Sequence, residues 1–393
     1  MKIGIFGGSF NPPHIGHVIG AVRAAEAVSL DRLLVVPAGV PPHKKLPENS
    51  PAADERFEMT RLAFAAVDFA EVSGIELRRE GESYTADTIR ELRAAFPRDE
   101  LYLVMATDMF LTLRNWYDSE YILQNVTPVV TTRFLDRRVD ELAAALEQNG
   151  TRCVIVRNAM IEISSSELRR SLRARRRAEF VDDCVYWYII ERKLYGAKPA
   201  FDALRRKAYN MLDAGRILHV AGCEEEAVSL AGRWGVSRDD AREAAILHDI
   251  TKNLSLAQQL ALCAEYGIVA DELERESEKL LHSKTAAESA LRRFAATDEV
   301  ADAVRFHTTG RAGMSALEKV IYLADYIEPR RDFDGVAELR RLAYEDLDGA
   351  LLRGLEMSVS DLLERGKTPH PNSLGAISSL KRSRAARTEE GIK

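Results

Sequence analysis

The sequence predicts an α/β domain built on a parallel sheet, followed by an all-helical domain. Three observations carry that prediction. Short, apolar and often β-branched runs at 3–6, 33–36, 101–105, 128–132 and 153–156 alternate with helical stretches at 18–28, 54–66, 85–95 and 140–148. Such alternation reads as βαβ units around a sheet buried on both faces. From about Asp202 the strand signals stop and helical ones replace them. Ser237, for example, offers an N-cap ahead of a helix over 241–250, and Asp240 favours the positive end of that helix. Between the halves, Gly and Pro at 196–199 interrupt two helical stretches. The expected domains are 1–197 and 198–377, with a mobile tail at 378–393 that is rich in Arg, Lys and Glu.

Bulk properties narrow the function classes. A chain of 393 residues with 46% hydrophobic and 30% charged residues suits a globular protein of two domains. Its formal charge of -6 argues against stable nucleic-acid binding, though not against a local phosphate pocket. The apolar runs are too short to span a membrane, and the start MKIGIFGG lacks the pattern of a secretory signal. Cys153, Cys184, Cys223 and Cys263 are scattered without a C-x-x-C pair, as expected of buried thiols in a reducing compartment. A cytoplasmic location follows as an expectation, and a homo-oligomer is compatible with all of this.

In parallel sheets, ligands bind beyond the carboxyl ends of the strands. The first strand runs directly into Gly7-Gly8-Ser9-Phe10-Asn11-Pro12-Pro13-His14-Ile15-Gly16-His17. Glycines there let the backbone approach a ligand and offer its N–H groups to phosphate oxygens. A helix starting near His14 to His17 would point its positive end at the same place. The two imidazoles would then stand about one turn apart, and Gly16 would leave room for a nucleotide. Further along, Ser164 and Glu167 have capping-box spacing, so a helix should begin there. Its exposed N–H groups, the serine hydroxyls and Arg169 would meet phosphates from the other side.

These residues resemble the His-x-Gly-His nucleotidyltransferases, and GGSFNPPHIGH is similar to the nicotinate-mononucleotide adenylyltransferase branch. The resemblance extends over most of residues 1–195 and implies a Rossmann-like nucleotidyltransferase domain. Pro41-Pro42-His43-Lys44 resembles the family's P-P-H-K loop, which implies that Lys44 faces the triphosphate. Tyr84-Thr85-Ala86-Asp87-Thr88 is similar to its Y-T-x-x-T segment beside the nicotinate. Asp108 and Trp116 resemble its G-A-D…W segment, in which the tryptophan supports the pyridine ring. Ile163-Ser164-Ser165-Ser166-Glu167-Leu168-Arg169 resembles I-S-S-T-x-I-R. Two segments depart from the pattern, Ala106-Thr107-Asp108 for G-A-D and Arg133-Phe134-Leu135 for R-P-G.

What the resemblance implies is transfer of AMP from ATP to nicotinate mononucleotide, with Mg²⁺ riding on the triphosphate. Gly7, Gly8, Ser9, Phe10, His14, His17, Lys44, Ser164, Ser165 and Arg169 would bind ATP. Of these, His14, His17, Lys44 and Arg169 would neutralise the growing charge. Tyr84, Thr85, Asp108, Trp116 and Arg133 would hold the mononucleotide.

The second half has its own candidate chemistry. His248 and Asp249 are adjacent on the expected helix, so their side chains diverge by about 100° yet reach one ion. Imidazole with carboxylate suits a transition metal better than Mg²⁺. The order His219, His248-Asp249, His282, His307, Asp325 resembles the H…HD…D layout of the HD phosphohydrolases. Leu247-His248-Asp249-Ile250-Thr251-Lys252, His307-Thr308-Thr309-Gly310 and Ala324-Asp325-Tyr326-Ile327-Glu328-Pro329-Arg330 are similar to bacterial members that split diadenosine tetraphosphate into two ADP.

Over residues 202–375 this resemblance implies one ion on His219, His248, Asp249 and Asp325, and a second on His282 and His307. It makes Asp249 and Lys252 catalytic, sets Lys252 and Arg330 against phosphate charge, and favours iron; Mn²⁺, Co²⁺ and Zn²⁺ also suit the donors. A nucleotide-sensing regulatory module and a phosphohydrolase with another nucleotide substrate stay open as alternatives. His370 reads as a structural residue.

Overall fold

Six parallel strands form the sheet of the first domain in a computed structural model that describes residues 1–42, 45–132, 136–157 and 163–389. They are β1 (Lys2–Gly8), β2 (Arg32–Pro37), β3 (Ala70–Val72), β4 (Glu100–Ala106), β5 (Thr127–Thr132) and β6 (Val154–Arg157), in the order β3-β2-β1-β4-β5-β6. Of the five expected strands, four lie inside observed ones and the fifth is shifted by one residue, to Val154–Arg157. The sequence reading missed β3, a three-residue edge strand paired only with β2 and too short to show a periodicity.

Alternation along the strands supplies two apolar faces. Ile3, Ile5, Leu34, Val36, Leu103, Met105 and Val130 belong to one core cluster. Their neighbours Leu33, Val35, Tyr102, Val104 and Val129 belong to the other. This is the period-two pattern of a sheet covered on both sides. The covering helices are α1 (Ile15–Val28), α2 (Ala53–Ala63), α3 (Thr85–Ala95), α4 (Thr107–Thr112), α5 (Ser119–Asn125), α6 (Arg137–Gln148), α7 (Ser165–Arg173) and α8 (Asp183–Glu191). Strand order reverses between β1 and β4. The loops after those two strands therefore flank the crevice where such sheets bind ligands.

Two compact units divide the chain, Met1–Lys198 and Pro199–Lys393. In the second unit the described residues are helical and contain no strand: α9 (Phe201–Tyr209), α10 (Ala214–Trp234), α11 (Arg238–Leu247), α12 (Leu256–Tyr266), α13 (Glu272–Arg275), α14 (Glu278–Arg293), α15 (Asp298–Arg305), α16 (Ala316–Ile327), α17 (Val336–Glu345), α18 (Leu347–Glu364) and α19 (Pro371–Glu389). Ser237 caps α11 through the backbone N–H of Asp240, as its spacing predicts. The helix then ends at Leu247, three residues short of the expected 250, which leaves His248 and Asp249 in the turn just beyond it. Residues 378–389, expected to be mobile, continue α19, and its Lys381 and Arg384 pair with Glu356 and Asp346 of the α18 region. Among the described residues no helix is long and apolar enough to cross a membrane.

Candidate active sites

The loop after β1 is folded by its own side chains. Phe10 adopts a left-handed backbone conformation, φ 44°, and its buried ring turns back over Gly8. A Cβ at Gly8 would stand 3.0 Å from that ring and push it aside, so glycine keeps the ring in place. At Gly7, by contrast, a Cβ would meet nothing within 4 Å, which leaves the end of β1 open to a ligand. His14 is the N-cap of α1, and its backbone N–H donates to His17 Nδ1 at 3.2 Å. That bond puts the His17 proton on Nε2, where it is free to donate to an anion. The two rings lie 3.7 Å apart between centroids. Burial lowers the pKa of His14 to about 4, and burial together with His14 holds His17 well below the usual histidine range. Both are neutral donors at pH 7 in the absence of ligand.

Side chains of α7 fix this loop from outside. The Arg169 guanidinium donates to the Asn11 carbonyl at 2.6 Å and to Ser166 Oγ at 3.0 Å, while Ser165 Oγ donates to the Pro12 carbonyl at 3.3 Å. The α7 residues expected to meet phosphate therefore also clamp the loop that carries the histidines. Ser164 is the N-cap of α7 as expected, but its side chain makes no capping hydrogen bond, so the expected capping box does not form.

Sequence reading missed Arg56 and Tyr195 and gave Asn11 no role of its own. Arg56, 1% exposed, donates to the carbonyls of Ser9 and Gly39 and ties the loop after β1 to the loop after β2. The Asn11 side chain is held at both ends, by Tyr195 Oη at 2.7 Å and by Ser50 Oγ at 2.8 Å. Nothing in the sequence singles out Arg56, one of two arginines in the expected helical stretch 54–66, where an arginine reads as a surface residue.

Of the residues expected to hold the mononucleotide, Tyr84 and Thr85 lie at the start of α3, Asp108 at the start of α4 and Trp116 after it. Tyr84 is the N-cap of α3, and its ring packs at 4.7 Å on Tyr117, the neighbour of Trp116. An Arg90–Asp118 ion pair joins the same two segments. Trp116 packs half-buried against the core, with Nε1 donating to Thr112 Oγ1 at 3.3 Å. Asp108 lies in the first turn of α4, directly after β4, and Thr85 opens α3. Lys44 and Arg133 lie outside the described residues.

In the helical unit, five segments converge. His219 comes from α10, His248 and Asp249 from the end of α11, His282 from α14, His307 from just beyond α15, and Asp325 from α16. Asp249 sits among the rest: its Oδ1 lies 3.1 Å from His282 Nε2 and 3.8 Å from His307 Nε2, its Oδ2 3.8 Å from His219 Nε2. His219 Nε2 stands 3.0 Å from Asp325 Oδ1, and the Nε2 atoms of His282 and His307 are 3.1 Å apart. All six side chains are brought together.

Each of three imidazoles is oriented through its Nδ1. His248 Nδ1 faces the Ala245 carbonyl at 2.7 Å, His307 Nδ1 the Val304 carbonyl at 2.6 Å, and His219 Nδ1 the Glu328 carboxylate at 3.2 Å. This leaves the Nε2 lone pairs available, as in histidines that bind metals. His248 Nε2, on a residue 1% exposed, makes no well-directed hydrogen bond among the described residues. The Asp249 Oδ2 lies 3.4 Å from it, and buried imidazoles and carboxylates gathered this closely are costly without a cation, so the donor set fits a transition metal.

Cations balance the acids. Arg216 pairs with Asp249 at 2.9 Å and Arg331 with Asp325 at 2.7 Å. Lys252 Nζ lies 3.2 Å from His282 Nε2, its pKa lowered by burial. Arg331, one residue beyond the Arg330 singled out from the sequence, is the one that reaches the cluster; Arg330 is exposed. His370 stands outside it, with Nε2 2.9 Å from Asp271 and Nδ1 accepting the Asn372 N–H.

Comparison with known proteins gives both halves relatives. Residues 5–171 match the cytidylyltransferase-like family and residues 216–330 the HD domain. A protein of Carboxydothermus hydrogenoformans named "probable nicotinate-nucleotide adenylyltransferase" is 35% identical over 198 residues, 49% of this chain and 98% of the relative. One of the same name from Thermus thermophilus is 39% identical over 196 residues, 50% of this chain and 100% of the relative. A solved structure described as a "predicted HD superfamily hydrolase involved in NAD metabolism", from Clostridium acetobutylicum, is 34% identical and covers 48% of this chain and 100% of its own, with a TM-score of 0.46. Through its N-terminal domain the chain belongs to the nicotinate-nucleotide adenylyltransferase family, and a C-terminal HD domain is fused to it.

Proposed function

We propose that the N-terminal domain transfers the adenylyl group of ATP to nicotinate mononucleotide, and that the HD domain hydrolyses diadenosine tetraphosphate to two ADP. The observation that supports the first activity is the loop after β1, with Gly7 open and two neutral imidazoles beside the N-terminus of α1. The mononucleotide phosphate attacks the α-phosphorus of ATP, and pyrophosphate leaves. No protein nucleophile is needed, so the chain contributes position and charge. His17 Nε2–H, His14, the α1 N-terminus and Arg169 would receive the phosphates, Lys44 would face the leaving pyrophosphate, and Mg²⁺ would arrive with ATP. Tyr84, Thr85, Asp108, Trp116 and Arg133 would orient the acceptor.

For the HD domain, the supporting observation is the buried six-residue donor cluster, in which imidazole Nε2 atoms and the Asp249 and Asp325 carboxylates converge. His219, His248, Asp249 and Asp325 would hold one ion, and His282 and His307 a second; iron is favoured. A bound transition ion supplies a water of lowered pKa and polarises a phosphoryl oxygen. Lys252 and Arg331 are placed to meet phosphate charge once Asp325 and Asp249 turn to metal. A module that only sensed a nucleotide would have little need for so many metal donors.

Chromatography of products from the purified full chain tests both parts. ATP, Mg²⁺ and nicotinate mononucleotide should give nicotinate adenine dinucleotide, and diadenosine tetraphosphate with Mn²⁺ or Fe²⁺ should give ADP alone. ATP plus AMP, or binding without turnover, would contradict the hydrolase assignment.

A further inference from the structure

Cys223 lies one turn beyond His219 on α10, so both side chains project from the same face of the helix. Its residue is 1% exposed, and Sγ stands 3.5 Å from His219 Nε2. The donor atoms of His219, Cys223, His248 and Asp325 all lie within 4.8 Å of one another. Nothing in the H…HD…D layout asks for sulfur at this position, and a small apolar side chain would fill the space as well.

Two quantities make the sulfur more than a filler. A nitrogen and a thiolate at neighbouring positions on one ion, at about 2.0–2.1 Å and about 2.3 Å, stand about 3–4 Å apart; Cys223 and His219, at 3.5 Å, already have such a separation. Independently, the buried His248 Nε2 belongs to the same group and makes no well-directed hydrogen bond among the described residues. With His219 Nδ1 turned to Glu328 and His248 Nδ1 to Ala245, two imidazole lone pairs, the carboxylates of Asp249 and Asp325, and one sulfur remain for a shared cation.

We propose that Cys223 is a further donor to the ion held by His219, His248, Asp249 and Asp325, forming a mixed imidazole, carboxylate and thiolate centre. Such a centre selects thiophilic ions, Zn²⁺, Co²⁺ or Fe²⁺, over Mn²⁺ and Mg²⁺. As the sulfur–metal bond forms, the thiol proton leaves to solvent, so each ion bound at this site releases that proton and no electron is transferred. The inference rests on the reading of the five-segment cluster as a metal centre.

Cobalt(II) is the probe. Full-length protein, stripped of metal and reloaded anaerobically with Co²⁺, should show thiolate-to-cobalt charge-transfer absorption in the near ultraviolet. Cys223→Ser should retain cobalt but lose that band, and Cys263→Ser should keep it. The preference for Zn²⁺ over Mn²⁺ in competition should fall about 10- to 100-fold in Cys223→Ser. Circular dichroism monitors folding, and Cys223→Val, which fills the space without a donor, gives the same comparison if the serine variant unfolds. Cobalt retained by the wild type without the band, or a band unchanged in Cys223→Ser, would overturn the assignment of Cys223 and leave the metal centre standing. Failure to retain cobalt at all would overturn both.

Discussion

At the scale of single residues, the two imidazoles after β1 matter through their protonation state. Both are held neutral in the free protein by burial, with His14 near pKa 4. A histidine whose folded pKa lies below its unfolded value opposes folding when protonated. Its stability contribution is complete above about pH 6.5 and is lost as pH falls toward 4. For His14 the shift from 6.5 to about 4 corresponds to about 3 kcal/mol across that window. Denaturant melts of the full chain at pH 7 and pH 5 should therefore show a loss in the N-terminal domain that His14→Asn reduces. Equal pH slopes in wild type and variant would contradict this. Removing the donor itself is a different experiment: His17→Ala should lower transferase kcat by about 10²–10³-fold, read by steady-state kinetics, and cost about 1 kcal/mol of stability through the lost bond to the His14 N–H.

At the scale of elements, the loop after β1 owes its shape to side chains supplied from α2, α7 and the segment after α8. Arg56→Met leaves the carbonyls of Ser9 and Gly39 without their donor inside the protein, at a cost of about 2–5 kcal/mol in chemical denaturation. Tyr195→Phe deletes only the hydrogen bond to Asn11 Oδ1, so it should cost about 1 kcal/mol of stability while raising KM for ATP. Unchanged ATP kinetics in Tyr195→Phe would mean that Asn11 does not position the loop.

These contacts mark the limit of what the sequence made legible. Gly7 to His17 could be read because glycine spacing and paired histidines have a local meaning. Arg56, Asn11 and Tyr195 meet only after the sheet has formed, 184 residues separating the last two. The same holds for β3, visible only through its pairing with β2, and for Cys223, which no spacing rule joins to His248 or Asp325. The end of α11 was misplaced because Ile250 falls at helical spacing from Ile246 and Leu247, although the helix ends at Leu247.

At the scale of the whole molecule, the chain joins two compact units, each with its own polar centre built from its own residues. The first gathers neutral donors and a helix N-terminus around an open glycine, an arrangement suited to polyphosphate. The second gathers carboxylates and converging imidazole Nε2 atoms, an arrangement suited to a metal ion. The account therefore predicts two activities that can be removed separately. The most direct measurement assays both in two full-length variants, His17→Ala and the double substitution His248→Ala with Asp249→Ala. The first should lose formation of nicotinate adenine dinucleotide and keep diadenosine tetraphosphate cleavage, and the second should do the reverse. Both activities surviving in either variant, or neither reaction detectable in the wild type, would contradict the account.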